Sequence, residues 1–68
     1  MIRYRLLREQ DGADLGPFVS MRGEWRQGAR ISRRTGEELV VVRTVEAEPG
    51  QDFYGYLIVR DARYEEPP

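Results

Sequence analysis

The chain has 68 residues, with 11 cationic side chains, all of them arginine, against 12 acidic ones, and neither cysteine nor histidine. These absences exclude a disulfide scaffold and remove the usual ligands of zinc, haem and iron–sulfur clusters, so no cofactor or metal is expected. At about 1.5 kcal/mol of conformational entropy per ordered residue, so short a chain must bury nearly every large apolar side chain. Any ligand site is therefore expected in a surface groove or between subunits, and no small-molecule substrate is expected.

In chain order, residues 2–8 alternate cleanly, with Ile2, Tyr4 and Leu6 on one face and Arg3 and Arg5 on the other. This period of two predicts a half-buried strand. Asp11-Gly12 then signals a hairpin, because glycine accepts positive φ without steric cost. The return strand is predicted at 15–19, anchored by Phe18, and Pro17 marks it as short, bent or at an edge. Residues 20–27 read as a loop with at most one helical turn, since Gly23 lies between Met21 and Trp25.

A third strand is predicted at 29–34, with Ala29, Ile31 and Arg33 on one face, turning at Thr35-Gly36 into a strand at 38–46. That fourth strand, Glu-Leu-Val-Val-Val-Arg-Thr-Val-Glu, is the strongest β-former and is expected at the centre of the sheet. Strict alternation would put Arg43 among its core residues. A bulge near Arg43 or Thr44 would resolve this by joining Val40 and Val42 to Val45 on the inner face, leaving Leu39 and Val41 outside. Pro49-Gly50 supplies a turn into a last strand at 53–60, where Phe53, Leu57 and Val59 are expected inward and Tyr54, Tyr56 and Ile58 outward. The domain is predicted over 1–61, followed by a frayed acidic tail at 62–68.

Five short strands without a convincing helix predict an all-β meander curled into a five-stranded SH3-like barrel. An OB-like barrel is the alternative, but the tight turn at Thr35-Gly36 leaves no space for its usual helix. The run Gly28-Ala29-Arg30-Ile31, then Gly36 and a valine-rich strand, resembles the "glycine, polar, x, aliphatic … glycine … valine" pattern of SH3-like barrels and KOW-type modules. The match covers about a third of the chain, and Ala29 stands where KOW modules usually carry an acid. The texture of the whole also resembles small uncharacterised proteins of high-GC bacteria. Both resemblances imply a fold and no activity.

An enzyme is not expected, because no histidine or lysine is present to activate the hydroxyls. The longest apolar runs, 39–42 and 56–59, fall far short of the ~20 residues that span a bilayer. The N-terminal stretch is broken by arginines, unlike a signal peptide, so a soluble, cytoplasmic protein is expected.

Two surfaces are candidates for function. Trp25 with an outward stripe of Tyr54, Tyr56 and Ile58 would serve a protein partner or a homodimer, although a lone tryptophan more often plugs the end of a barrel. Arg30, Arg33 and Arg34, with Arg22 and Arg26 upstream, would contact nucleic-acid phosphates, unless they simply pair with the acids. A non-enzymatic protein-interaction module is the leading expectation and weak nucleic-acid binding the alternative.

Overall fold

A computed structural model describes residues 1–21 and 23–62, so Arg22 and residues 63–68 of the expected tail lie outside the described residues. Five strands form one sheet: β1 (Ile2–Arg8), β2 (Asp14–Ser20), β3 (Arg30–Ser32), β4 (Glu38–Glu46) and β5 (Gly55–Asp61). The sheet curls strongly into a half-barrel, in keeping with a small all-β barrel fold, and no α-helix occurs among the described residues.

Strand order is β2-β1-β5-β4-β3. This is not a meander, because β1 and β5 pair in parallel at the centre, from Tyr4 opposite Gly55 to Arg8 opposite Val59. The strand expected at the centre, β4, is instead second from one edge, and β5 takes the middle. Its run Leu57-Ile58-Val59 is buried on both faces, as suits a strand with neighbours on both sides.

The turns account for the hairpins. In the first, Gly12 takes φ +73°, the Gly12 amide donates to the Arg8 carbonyl, and the Ala13 amide donates to Asp11 Oδ1. Between β3 and β4, Arg33 and Glu37 pair and the Gly36 amide donates back to Arg33, with Gly36 at φ +90°. This is a three-residue loop, one residue longer than the turn read at Thr35-Gly36, and it ends in the left-handed glycine that such loops require. It also shortens β3, expected at 29–34, to three residues.

Two bulges curl the sheet. In β2, Gly16 opposes Leu6 and Asp14 opposes Leu7, so Leu15 is the extra residue. In β4, Val41 opposes Val59 and Arg43 opposes Ile58, so the extra residue is Val42. The bulge expected in β4 is therefore present, one position early, but it sorts the faces the other way. Leu39 and Val41 join Tyr4, Leu6, Ile31, Leu57 and Val59 in the core on the concave side, while Val40 and Val45 lie on the convex side. Pairing decides this: Leu39 sits beside Ile31, and Val41 beside Val59.

The open side of the half-barrel is bridged by Arg33. Its Nη2 donates to the Leu15 carbonyl on β2 at 3.2 Å, and its Nη1 to Glu37 Oε1 at 3.0 Å. One side chain thus ties the β3–β4 hairpin to the opposite edge of the sheet. Charge-assisted hydrogen bonds of a partly buried arginine contribute about 1–2 kcal/mol. Arg33→Ala is expected to lose about that much in a denaturant titration and to speed amide exchange selectively in β2 and β3. Uniformly unchanged exchange would show that the bridge does not hold the edges together.

Candidate interaction surfaces

The register divides the expected stripe between two faces. Ile58 points to the convex side, flanked by Leu7 and Arg43. The Arg43–Glu9 pair at 3.9 Å and the Arg60–Glu9 pair at 3.2 Å bracket it, and the arginine stems cover apolar surface. Ile58 is consequently only 7% exposed. Tyr56 is half-buried on the same side, its ring 5.0 Å from that of Phe53, so Phe53 is convex rather than inward. Tyr54 lies before β5 begins and packs edge-on against the Tyr4 ring at 5.7 Å, at the end of the concave side.

What the convex face does expose lies beside β2. Val19 opposes Arg3, and Pro17 opposes Arg5. Arg5 stands 6.0 Å from the Phe53 ring, and Val45 is paired with Tyr56. Val19 and Val45 are 52% and 42% exposed, with Phe53 and Tyr56 half-buried between the edge and β4. Arg5 also binds Asp14 at 2.9 Å. That hydrogen bond, aided by the Gly16 amide, holds the Asp14 carboxyl below the usual aspartate range. Val19 and Pro17 were legible as outward residues once Phe18 was placed inward, because side chains alternate along a strand.

Trp25 closes the concave side. Its ring packs edge-on against Phe18 at 5.4 Å, its indole N–H donates to Ser20 Oγ at 3.2 Å, and it rests against the core cluster. Nearby, the Tyr4 hydroxyl donates to the Gly23 carbonyl at 3.2 Å. Burial first, and then Tyr54, raises the Tyr4 phenol above its ordinary pKa. Trp25 thus covers part of the core cluster, and it lines a recess together with Tyr4, Tyr54, Glu24 and Glu46.

The arginines do not present one shared cationic surface. Arg33 is engaged as described, Arg30 pairs with Glu38 at 3.6 Å, and Arg26 pairs with Glu24 at 3.3 Å. Arg34 is exposed and has no ion-pair partner among the described residues. Among these residues, no three potential carboxylate ligands gather into a metal site, and no helix is long and apolar enough to cross a membrane. Compared with known proteins, the chain matches no family model, no curated protein and no solved structure, so its functional reading rests on these two surfaces.

Proposed function

We propose that the chain is a non-enzymatic protein-interaction module that pairs with a second copy of itself through the convex face beside β2. The observation that carries this reading is the pair of exposed valines, Val19 and Val45, flanking Phe53 and Tyr56 next to an edge strand. Apolar surface grouped this way favours association, and an edge strand offers unpaired backbone groups to a partner. Arg3, Arg5 and Asp52 line the same cleft as Phe53 and Val19. Charges of both signs in one patch suit a two-fold interface, where each copy meets its own surface reversed. A formal net charge of −1 adds little repulsion between copies.

Binding of nucleic acid through Arg30, Arg33 and Arg34 draws less support, because Arg33 is held by Glu37 and Leu15 and Arg30 faces Glu38.

Self-association makes the melting temperature rise with protein concentration. Light scattering over a concentration series is expected to show a dimer that Val19→Glu converts to a folded monomer. A wild-type protein that stays monomeric, with a melting point indifferent to concentration, would rule the proposal out.

A further inference from the structure

The recess at the end of the concave side is built from residues that the sheet register brings together. Gly55 is opposed by Tyr4 on one side and by Glu46 on the other, so these three share a row on the same face. Gly55 carries no side chain, and the Val45 carbonyl packs where its Cβ would stand. Beside this row, Glu24 and Trp25 of the loop and Tyr54 line a recess with a volume of about 320 Å³. That volume sits at the small end of ligand sites and suits a compact head group rather than an extended molecule.

Two accessible aromatic rings, Trp25 and Tyr54, and two carboxylates beside the buried Tyr4 give this small space a definite chemical preference. The ring faces carry negative potential and attract cations, and the carboxylates add to it while repelling anions. Tyr54 keeps 67% of its surface exposed even while packed against Tyr4, so much of its ring is left for a ligand. Among the described residues Glu46 has no ion pair and Glu24 shares its charge only with Arg26, in a pair that is 83% and 79% exposed. Such a solvated pair holds weakly and yields to a better-placed cation. Among the described residues, no arginine lines the space.

We propose that this recess binds an alkylated ammonium group. Alkyl substituents weaken the hydration that makes a bare ammonium costly to bring against aromatic rings, while the charge is retained for Glu46 and Glu24. The group belongs either to a free quaternary amine or to a methylated lysine side chain on another protein. The Tyr4, Gly55 and Glu46 row lies on the face of the sheet opposite to the Val19 and Val45 side chains, although Val45 borders the recess as well.

Trp25 is the only tryptophan in the chain, so its emission reports on the recess directly. The probes are choline, its uncharged isostere 3,3-dimethylbutanol, and a short peptide carrying trimethyllysine. Saturable changes in emission are expected for the two cations, with the uncharged isostere at least about tenfold weaker. Choline binding as tightly as the peptide identifies a free amine as the source, and a peptide at least about tenfold tighter identifies a protein-borne one. Tyr54→Ala and Glu46→Gln, both at exposed positions, are each expected to weaken cation binding about fivefold, the scale of one cation–ring or ion contact, and Glu46→Gln to do so with the melting temperature unchanged. No saturation by either cation up to about 10 mM, on the scale of millimolar affinity, would overturn the proposal. Equal binding of the uncharged isostere, or an undiminished affinity in Glu46→Gln, would do the same.

Discussion

Val41→Asp is expected to abolish folding. Val41 has no exposed surface and sits in the middle of the core cluster, opposite Val59. Its amide donates to Ala29 and its carbonyl accepts from Gly28, so the backbone at this point also anchors the start of the β3 hairpin. An unpaired buried carboxylate costs about 3–5 kcal/mol, and a single core of this size supplies only about 3–5 kcal/mol of stability. The variant should show no cooperative melting transition and collapsed amide dispersion in NMR. Val45→Asp, on the same strand but 42% exposed on the convex side, is the matched control and is expected to lose less than about 1 kcal/mol when both variants are compared at concentrations too low for self-association. Two variants of equal stability would contradict the assignment of the two faces of β4.

Gly55→Ala is the second large effect, and its origin is different. A Cβ at this position would stand 2.6 Å from the Val45 carbonyl oxygen. That atom is backbone within the β4–β5 ladder, so the strand itself must shift. Overpacking of this kind costs about 1–3 kcal/mol, equivalent to a fall of about 10 °C in melting temperature for a domain of this length. Gly12→Ala gives the comparison, since nothing lies within 4 Å of its Cβ and only its φ of +73° is unfavourable. If Gly55→Ala melts no lower than Gly12→Ala, then β4 and β5 do not approach as closely at Gly55 as described.

Both sites show which parts of the fold could be read from the sequence. β1 and β4 run where period-two patterning and β-propensity put them. The turns at Asp11-Gly12 and Pro49-Gly50 also form as read, with both glycines at positive φ. Pro17 announced an edge strand, and β2 is one. These signals are local: each depends on a few neighbouring residues and their backbone preferences. The pairing of β1 with β5 is not local. It joins Tyr4 to Gly55 across nearly the whole chain, and nothing in either strand specifies parallel over antiparallel. The one available hint was the unbroken apolar run in β5, which marks a strand covered on both faces.

The same distinction explains the surfaces. Trp25 and Tyr54 were legible as aromatic residues with a polar handle near the ends of elements, but their meeting around Gly55 depends on the parallel register. Arg33 read as one of a set of cations because residue type reports charge. Its place opposite Leu15 follows from how far the sheet curls, which is set jointly by the bulges at Leu15 and Val42. The face assignment in β4 failed for a related reason. Alternation alone could not say which set of valines had a core partner, and that was decided by Ile31 and Val59 on the neighbouring strands.

The parallel β1–β5 pair also governs the order in which the protein can be made. During synthesis β1 emerges before the other four strands, yet its central neighbour β5 emerges only after β2, β3 and β4. Until then the β1–β2 hairpin and the β3–β4 hairpin have no strand between them on which to assemble. Contacts this distant in sequence close slowly, so the nascent chain must hold Leu6, Leu39 and Val41 exposed until β5 has emerged. Supplying the β5 segment separately, as a peptide added to the truncated chain, would place the final assembly step under experimental control.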